Sequence, residues 1–156
     1  MKKKTVVNIL LVVTPLLIGI CASILTRDMM LEYGNLNKPF LAPPSIVFPI
    51  AWTILYLLMG IGAALIYSKE EYSHYRSTGL TLHIAQLILN FFWSIIFFNL
   101  GQYVFAFIWL VILWLVVLSM LMNYKSISKT AFFLNIPYIV WLTFAAYLNL
   151  AVAILN

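Results

Sequence analysis

Apolar residues in this chain come in five long runs, at about Val6–Leu25, Ile46–Tyr67, Leu80–Leu100, Tyr103–Met122 and Ala131–Leu155. Each approaches or exceeds the ~20 residues an α-helix needs to cross a bilayer. Polar positions collect between the runs. They form a long stretch from Thr26 to Ser45, a charged loop from Ser68 to Gly79, a tight turn at Gly101-Gln102 and a short link carrying Lys125 and Lys129. In lipid every backbone polar group must be satisfied within its own segment, so the runs predict helices despite their β-branched content. The expected fold is an all-α membrane protein, a five-transmembrane-helix bundle in a single domain over residues 1–156.

Within the runs the few polar residues are not scattered. On the third, His83, Gln86, Asn90, Ser94 and Phe97 share one face at 100° per residue, with Trp93 at its edge. Intramembrane polar groups of this kind face the bundle interior, as a site or as hydrogen bonds between helices. On the second run Trp52, Tyr56, Met59 and Ala63 recur at spacings of four, three and four, again one face. On the fifth, Tyr138, Trp141, Ala145, Leu148 and Asn149 fall together, and Pro137 invites a kink. Ala145 among bulky aromatics leaves room for a ligand or for a close helix contact. Tyr103, Tyr124, Tyr147 and Trp109 read as members of the interfacial aromatic belts. Trp52, Trp93 and Trp141 lie too deep in their spans for that.

The long stretch adds a second feature. Pro39, Pro43, Pro44 and Pro49 stand close together, and each fixes its own φ and pushes its predecessor out of the α region. Residues 39 to 44 are therefore an extended, stiff connector, while Pro49 fits the first turn of the next helix. Because spans alternate in direction, the start of span two and the ends of spans three and five lie in the half of the membrane nearest this loop. A stiff lid above facing aromatic surfaces has the shape of a ligand site.

Composition narrows the class. The chain is 65% hydrophobic and only 8% charged, against roughly a quarter charged in a soluble domain. The net charge of +5 does not indicate nucleic acid, because the basic residues sit in short gaps between apolar runs. With the N-terminus cytoplasmic, Lys2, Lys3, Lys4, Lys69, Arg76, Lys125 and Lys129 lie inside, and Arg27 and Lys38 outside. The positive-inside rule then predicts the C-terminus and the Pro-rich loop on the outer face of a cell membrane. The first apolar run is longer than the ~7–15 residues of a signal core. Ile20, before Cys21, is large where a lipoprotein signal wants a small residue, so the run is read as a span. Short loops and no targeting segment suit a bacterial membrane.

Conventional catalytic sets are not discernible. Asp28, Glu32, Glu70 and Glu71 all fall in loops, and one cysteine, Cys21, permits no disulfide within the chain. Without charge at depth, an ion-coupled transporter is disfavoured. His74 and His83 are lone candidates as metal or haem ligands; no metal site is expected, and His83 is read as a hydrogen-bonding group. Gly19, Ser23, Gly60, Gly62, Ala63 and Ala64 permit close helix packing, within the bundle or in a homodimer.

KPFLAPP, then FPIAWTILYLLMG, LNFFWSIIFF and PYIVWLTFAAYLNL, in that order, resemble the translocator protein family, also called tryptophan-rich sensory proteins (TspO/MBR). The resemblance covers nearly the whole chain. It implies a five-helix membrane domain, commonly dimeric, that binds protoporphyrin IX, haem-related tetrapyrroles and isoquinoline carboxamides. By motif it implies a ligand pocket of Trp52, Tyr56, Asn90, Trp93, Trp141, Phe144, Ala145 and Asn149 with Pro43 and Pro44 in the lid. Most of these lie on the faces found above; Phe144 is the exception. No cofactor is obligatory, the porphyrin being ligand or substrate. Two further readings are implied: light-dependent porphyrin breakdown with Trp52 and Trp141 as redox participants, and tetrapyrrole transport. Two departures are visible. LNLAVAILN ends without the basic residue of the animal cholesterol-recognition segment, so cholesterol is an unlikely partner. Phe91 or Phe92 stands where some members have a second tryptophan.

Overall fold

The computed structural model describes residues 2–69 and 73–156, with the side chains of residues 2, 29–33 and 73 left aside. Glu70 and Glu71 of the expected charged loop, and the Glu32 side chain, lie outside the described residues. Five helices are long and apolar enough to cross a membrane. They are α1 (Lys2–Glu32), α2 (Val47–Tyr67), α3 (Ser73–Ser94), α4 (Tyr103–Ile127) and α5 (Lys129–Leu155). A 3₁₀ turn, Tyr33–Asn35, follows α1, and α3 passes directly into a π-helical segment, Ile95–Asn99.

The helices outrun the apolar runs that announce them. α1 continues to Glu32 through residues expected in the long loop, and α3 begins at Ser73, inside the expected charged loop. Hydropathy marks where a segment is immersed, whereas the helix stops where its backbone is broken, and no Gly or Pro stands between Thr26 and Gly34. Lys125 and Lys129 are likewise helical. The link between α4 and α5 shrinks to Ser128, which is extended at φ −151° and ψ 110°. Its hydroxyl accepts from the Ala131 N–H at 3.3 Å and caps α5. The turn at Gly101-Gln102 is as expected, Gly101 taking a φ of 60° that suits glycine. α5 runs through Pro137 without interruption.

Packing joins α1 to α2, α2 to α5, α5 to α4 and α4 to α3. The π segment returns to α1, and Asn99 Nδ2 donates to the Leu25 carbonyl at 3.0 Å. The five helices therefore form a closed ring. Met59, Ala63, Ile66, Leu110, Leu113, Val117, Met120, Leu142 and Val152 are fully buried at its centre. Large apolar side chains such as Ile24, Val104, Phe133 and Ile154 face outward, as lipid-facing surfaces require. Tyr124 is a correction. It is fully buried against α2 and α3 rather than in an interfacial belt.

Close approach explains several of the small residues. A Cβ added at Gly60 would meet Val12 Cα at 2.6 Å and the Leu11 carbonyl at 2.9 Å. Pro15 removes the N–H that would otherwise bond Leu11, so α2 lies against α1 where its helical ladder is interrupted. Gly62 abuts Asn135, and Gly19 abuts the Tyr56 ring. Gly19, Gly60 and Gly62 thus serve the internal bundle.

Candidate functional site

The connector from residue 36 to 46 is non-helical, as its prolines dictate. It turns between the Pro39 carbonyl and the Ala42 N–H at 3.0 Å. Pro44 supplies the carbonyl that accepts the first N–H of α2, from Val47, also at 3.0 Å. At its other end the connector is tied to α5. The Asn37 N–H donates to Asn156 Oδ1 at 3.0 Å, and Asn156 Nδ2 donates back to the Asn37 carbonyl at 3.1 Å. The entry of α2 is set by these contacts, so Phe48, Pro49 and Trp52 face inward from a fixed origin.

Beneath this end of the bundle lies a cavity of about 340 Å³, within the roughly 300–1,000 Å³ usual for small-molecule sites. α2 lines it with Phe48, Pro49, Trp52, Thr53 and Tyr56. Trp93, Ser94, Phe97 and Phe98 come from the end of α3 and the π segment, and Trp141, Ala145, Leu148 and Asn149 from α5. The remaining wall is α1, from Leu16 to Thr26. Ile20 and Ile24 line the cavity and are also 56% and 69% exposed, so its mouth opens on the outer surface of α1.

Trp52 is the hub of the aromatic walls. It stacks on Tyr56 at 5.4 Å between ring centroids and meets Trp93 at 6.5 Å. Tyr138 and Trp141 approach it edge-on at 6.3 and 6.5 Å. Trp93 in turn stacks on Phe97 at 5.5 Å, and Phe48 stands edge-on to Trp141 at 6.1 Å. Offset and edge-to-face pairs of this kind hold rings in fixed orientations.

Polar groups fix the walls from behind. Trp93 Nε1 donates to Asn149 Oδ1 at 3.1 Å, and Asn149 Nδ2 donates to the Tyr103 carbonyl at 2.8 Å. Asn149→Leu leaves the buried Trp93 N–H without an acceptor. It is expected to lower stability by about 1–3 kcal/mol, read as a drop in thermal unfolding temperature in detergent. A second chain runs away from the cavity. Tyr56 OH donates to Asn90 Oδ1 at 3.2 Å, Asn90 Nδ2 to Tyr138 OH at 3.0 Å, and Tyr138 OH to Gln86 Oε1 at 2.8 Å. In contrast, the Trp141 indole N–H is buried and has no acceptor among the described residues. The Trp141 ring lines the cavity, while its N–H is closed off from it.

The structure brings together Trp52, Tyr56, Trp93, Trp141, Ala145 and Asn149 from the expected set. Asn90 stands one layer behind, held between Tyr56 and Tyr138. Phe144 packs on Trp141 at 5.7 Å but is not in the lining, as its angular offset implied. Pro43 and Pro44 are not in the lining either; they shape the approach to α2, and the wall begins at Phe48. His83 is buried, and its Nδ1 makes no hydrogen bond among the described residues. No group of three His, Cys, Asp or Glu suited to a metal occurs among those residues.

Two walls escaped the sequence reading. On α1, Gly19, Ala22, Ser23 and Thr26 sit at i, i+3, i+4 and i+7, a face of small side chains that lines the cavity, with Gly19 directly against the Tyr56 ring. Polarity and aromaticity do not reveal it; size does. The π segment is the other. Its wider turn brings both Phe97 and Phe98 to the cavity, and π segments are frequent at functional sites.

Comparison with known proteins places this architecture. The model of the TspO/MBR family matches residues 11–155. A tryptophan-rich protein TspO of Archaeoglobus fulgidus is 34% identical over 155 residues, 98% of this chain and 97% of that one. The tryptophan-rich protein TspO of Chlorobaculum tepidum is 34% identical over 124 residues, covering 80% of this chain and 78% of its own length. A translocator protein of Ovis aries is 35% identical over 118 residues, with 75% and 70% covered.

Proposed function

This chain belongs to the TspO/MBR family of multi-pass membrane proteins, and from that premise we propose that it is a membrane receptor for tetrapyrroles such as protoporphyrin IX. Relatives carry the names tryptophan-rich sensory protein and translocator protein, which suit a sensing or translocating role. The observation that carries the ligand class is the aromatic lining of the cavity. Trp52, Trp93 and Trp141 offer flat aromatic faces. A large planar molecule with carboxylate arms matches such walls. The mouth beside Ile20 and Ile24 would admit it from the bilayer. Isoquinoline carboxamides, planar with one carbonyl, fit the same description.

The receptor is taken to sit with its N-terminus cytoplasmic and its C-terminus outside, on the basic-residue bias, and to act as a homodimer. A second reading, light-dependent porphyrin breakdown, is favoured by the contact of Trp52 with both Trp93 and Trp141, which lines up three oxidisable rings beside the ligand. Titration of purified protein with protoporphyrin IX, followed by the porphyrin's own absorbance, tests both. Saturable binding in the dark with a stable band in light supports the receptor. Loss of the band in light, abolished by Trp141→Phe, supports the enzyme. Absence of saturable binding refutes both.

A further inference from the structure

Among the described residues that line the cavity, none is Asp, Glu, Lys, Arg or His. Its polar side chains are hydroxyls, indoles and the Asn149 amide, and that amide is already engaged by Trp93 and the Tyr103 carbonyl. A carboxylate carried into this space would be buried without a counter-charge, which is costly. An acidic ligand with an apolar body therefore seats the body inward and keeps its acid group at the mouth.

α1 sets what stands at that mouth. Leu16, Ile20 and Ser23 line the cavity at i, i+4 and i+7, and the next residue on the same face, at i+11, is Arg27. Ser23 and Ile24 are exposed at the opening, and Arg27 is exposed one turn beyond Ser23. Arg27 lies at the end of the membrane-spanning stretch Lys3–Asp28, where a charge reaches the membrane surface while the cavity opens beneath it. Asp28 follows about 100° further round the helix, off the cavity face. The bond from Asn99 Nδ2 to the Leu25 carbonyl, at 3.0 Å, ties this turn of α1 to the π segment that carries Phe97 and Phe98. The backbone beside Arg27 is thereby held against the cavity wall. A guanidinium is always charged, and its planar fork matches a carboxylate.

Building on the reading of the cavity as a tetrapyrrole site, we propose that Arg27 is its acid-recognising residue. The Arg27 guanidinium pairs with a carboxylate of the ligand at the mouth while the apolar body occupies the aromatic interior. The site then selects amphipathic carboxylic acids over their neutral esters, and the pairing fixes which edge of a planar ligand faces outward.

Protoporphyrin IX and its dimethyl ester share one ring system and differ in the charge of the propionate arms, so they make the test. Dark titrations of both, in a neutral detergent, are run on the wild type, Arg27→Gln and Arg27→Lys. Micelle partition of each ligand is the same for all three proteins, so their acid-to-ester affinity ratios isolate the side chain at position 27. That ratio is expected to fall about tenfold from wild type to Arg27→Gln, as loss of a charge-assisted hydrogen bond implies. Arg27→Lys, which keeps the charge, is expected to retain part of the preference. Ester affinity is expected to stay constant across the three, since the aromatic interior is untouched. Saturable binding of both ligands with the same ratio in wild type and Arg27→Gln would overturn the role of Arg27 and leave the receptor standing. Arginines at span ends also anchor to lipid headgroups, and that role alone would give this equal ratio. Failure of both ligands to bind the wild type saturably would refute the receptor, and the role of Arg27 with it.

Discussion

Ala145→Phe is expected to abolish saturable porphyrin binding while the protein still folds. Ala145 is a cavity-lining residue one turn beyond Trp141 on α5, only 8% exposed, and its small side chain leaves the space that the aromatic walls enclose. A phenyl ring there fills part of a volume of about 340 Å³. It removes no hydrogen bond, because the orphaned indole belongs to Trp141 and the network behind the wall to Asn149, Asn90 and Tyr138. A loss of at least about a hundredfold in affinity, close to 3 kcal/mol, is expected from blocking the contact faces. Overpacking itself costs about 1–3 kcal/mol, so thermal unfolding is measured beside the titration. A variant that folds like the wild type and binds porphyrin as well would remove this face of α5 from the site.

Gly60→Val carries the largest expected effect on stability. The atoms that its side chain would meet are the Val12 Cα and the carbonyls of Leu11 and Val12, at 2.6 to 2.9 Å. These are backbone, so no rotamer change relieves the clash, and α1 must move away from α2. α1 also forms one wall of the cavity, so the displacement reaches the site. A destabilisation of about 3 kcal/mol, at the upper end for overpacking, is expected as a lower unfolding temperature, together with weakened ligand binding. Gly34 provides the contrast, because a Cβ there meets nothing within 4 Å. Gly34→Ala should leave both readouts unchanged. Equal behaviour of the two variants would contradict the close contact of α1 and α2.

Much of this arrangement was legible in the sequence because lipid leaves the chain few choices. Five apolar runs had to be helices, and their alternation placed Trp52, Trp93 and Trp141 in one half of the bundle before any contact was known. The inward faces of α3 and α5 followed from polar residues at helical spacing, since Gln86, Asn90 and Asn149 are buried and bonded as that spacing required. Helix ends were not legible, because an apolar run reports immersion whereas α1 persists into polar residues until Glu32. The α1 wall was obscured for a related reason. Its cavity face differs from its lipid face in side-chain size alone, and Gly19, Ala22 and Ser23 carry no chemical label. Tyr124 was misplaced because a tyrosine near the end of a span suits an interface as well as a core, and only the glycines at 62 and 79 make room for its ring. The π segment left no mark in the pattern, since one wider turn does not alter which residues are apolar.

The five tryptophans offer the most direct test of the account. Trp52, Trp93 and Trp141 line the cavity. Trp109 and Trp114 stand on α4 with their indole N–H groups bonded to the Leu89 carbonyl and the Thr143 hydroxyl, at 2.8 and 2.9 Å. Indole N–H resonances of uniformly ¹⁵N-labelled protein would be followed through a protoporphyrin IX titration in the dark, with each signal assigned by single Trp→Phe replacement. The account predicts that the signals of Trp52, Trp93 and Trp141 move together and saturate, while those of Trp109 and Trp114 stay in place. Movement of Trp109 and Trp114 with the cavity signals unmoved would place the ligand on the lipid-facing surface and contradict the assignment of the cavity as its site.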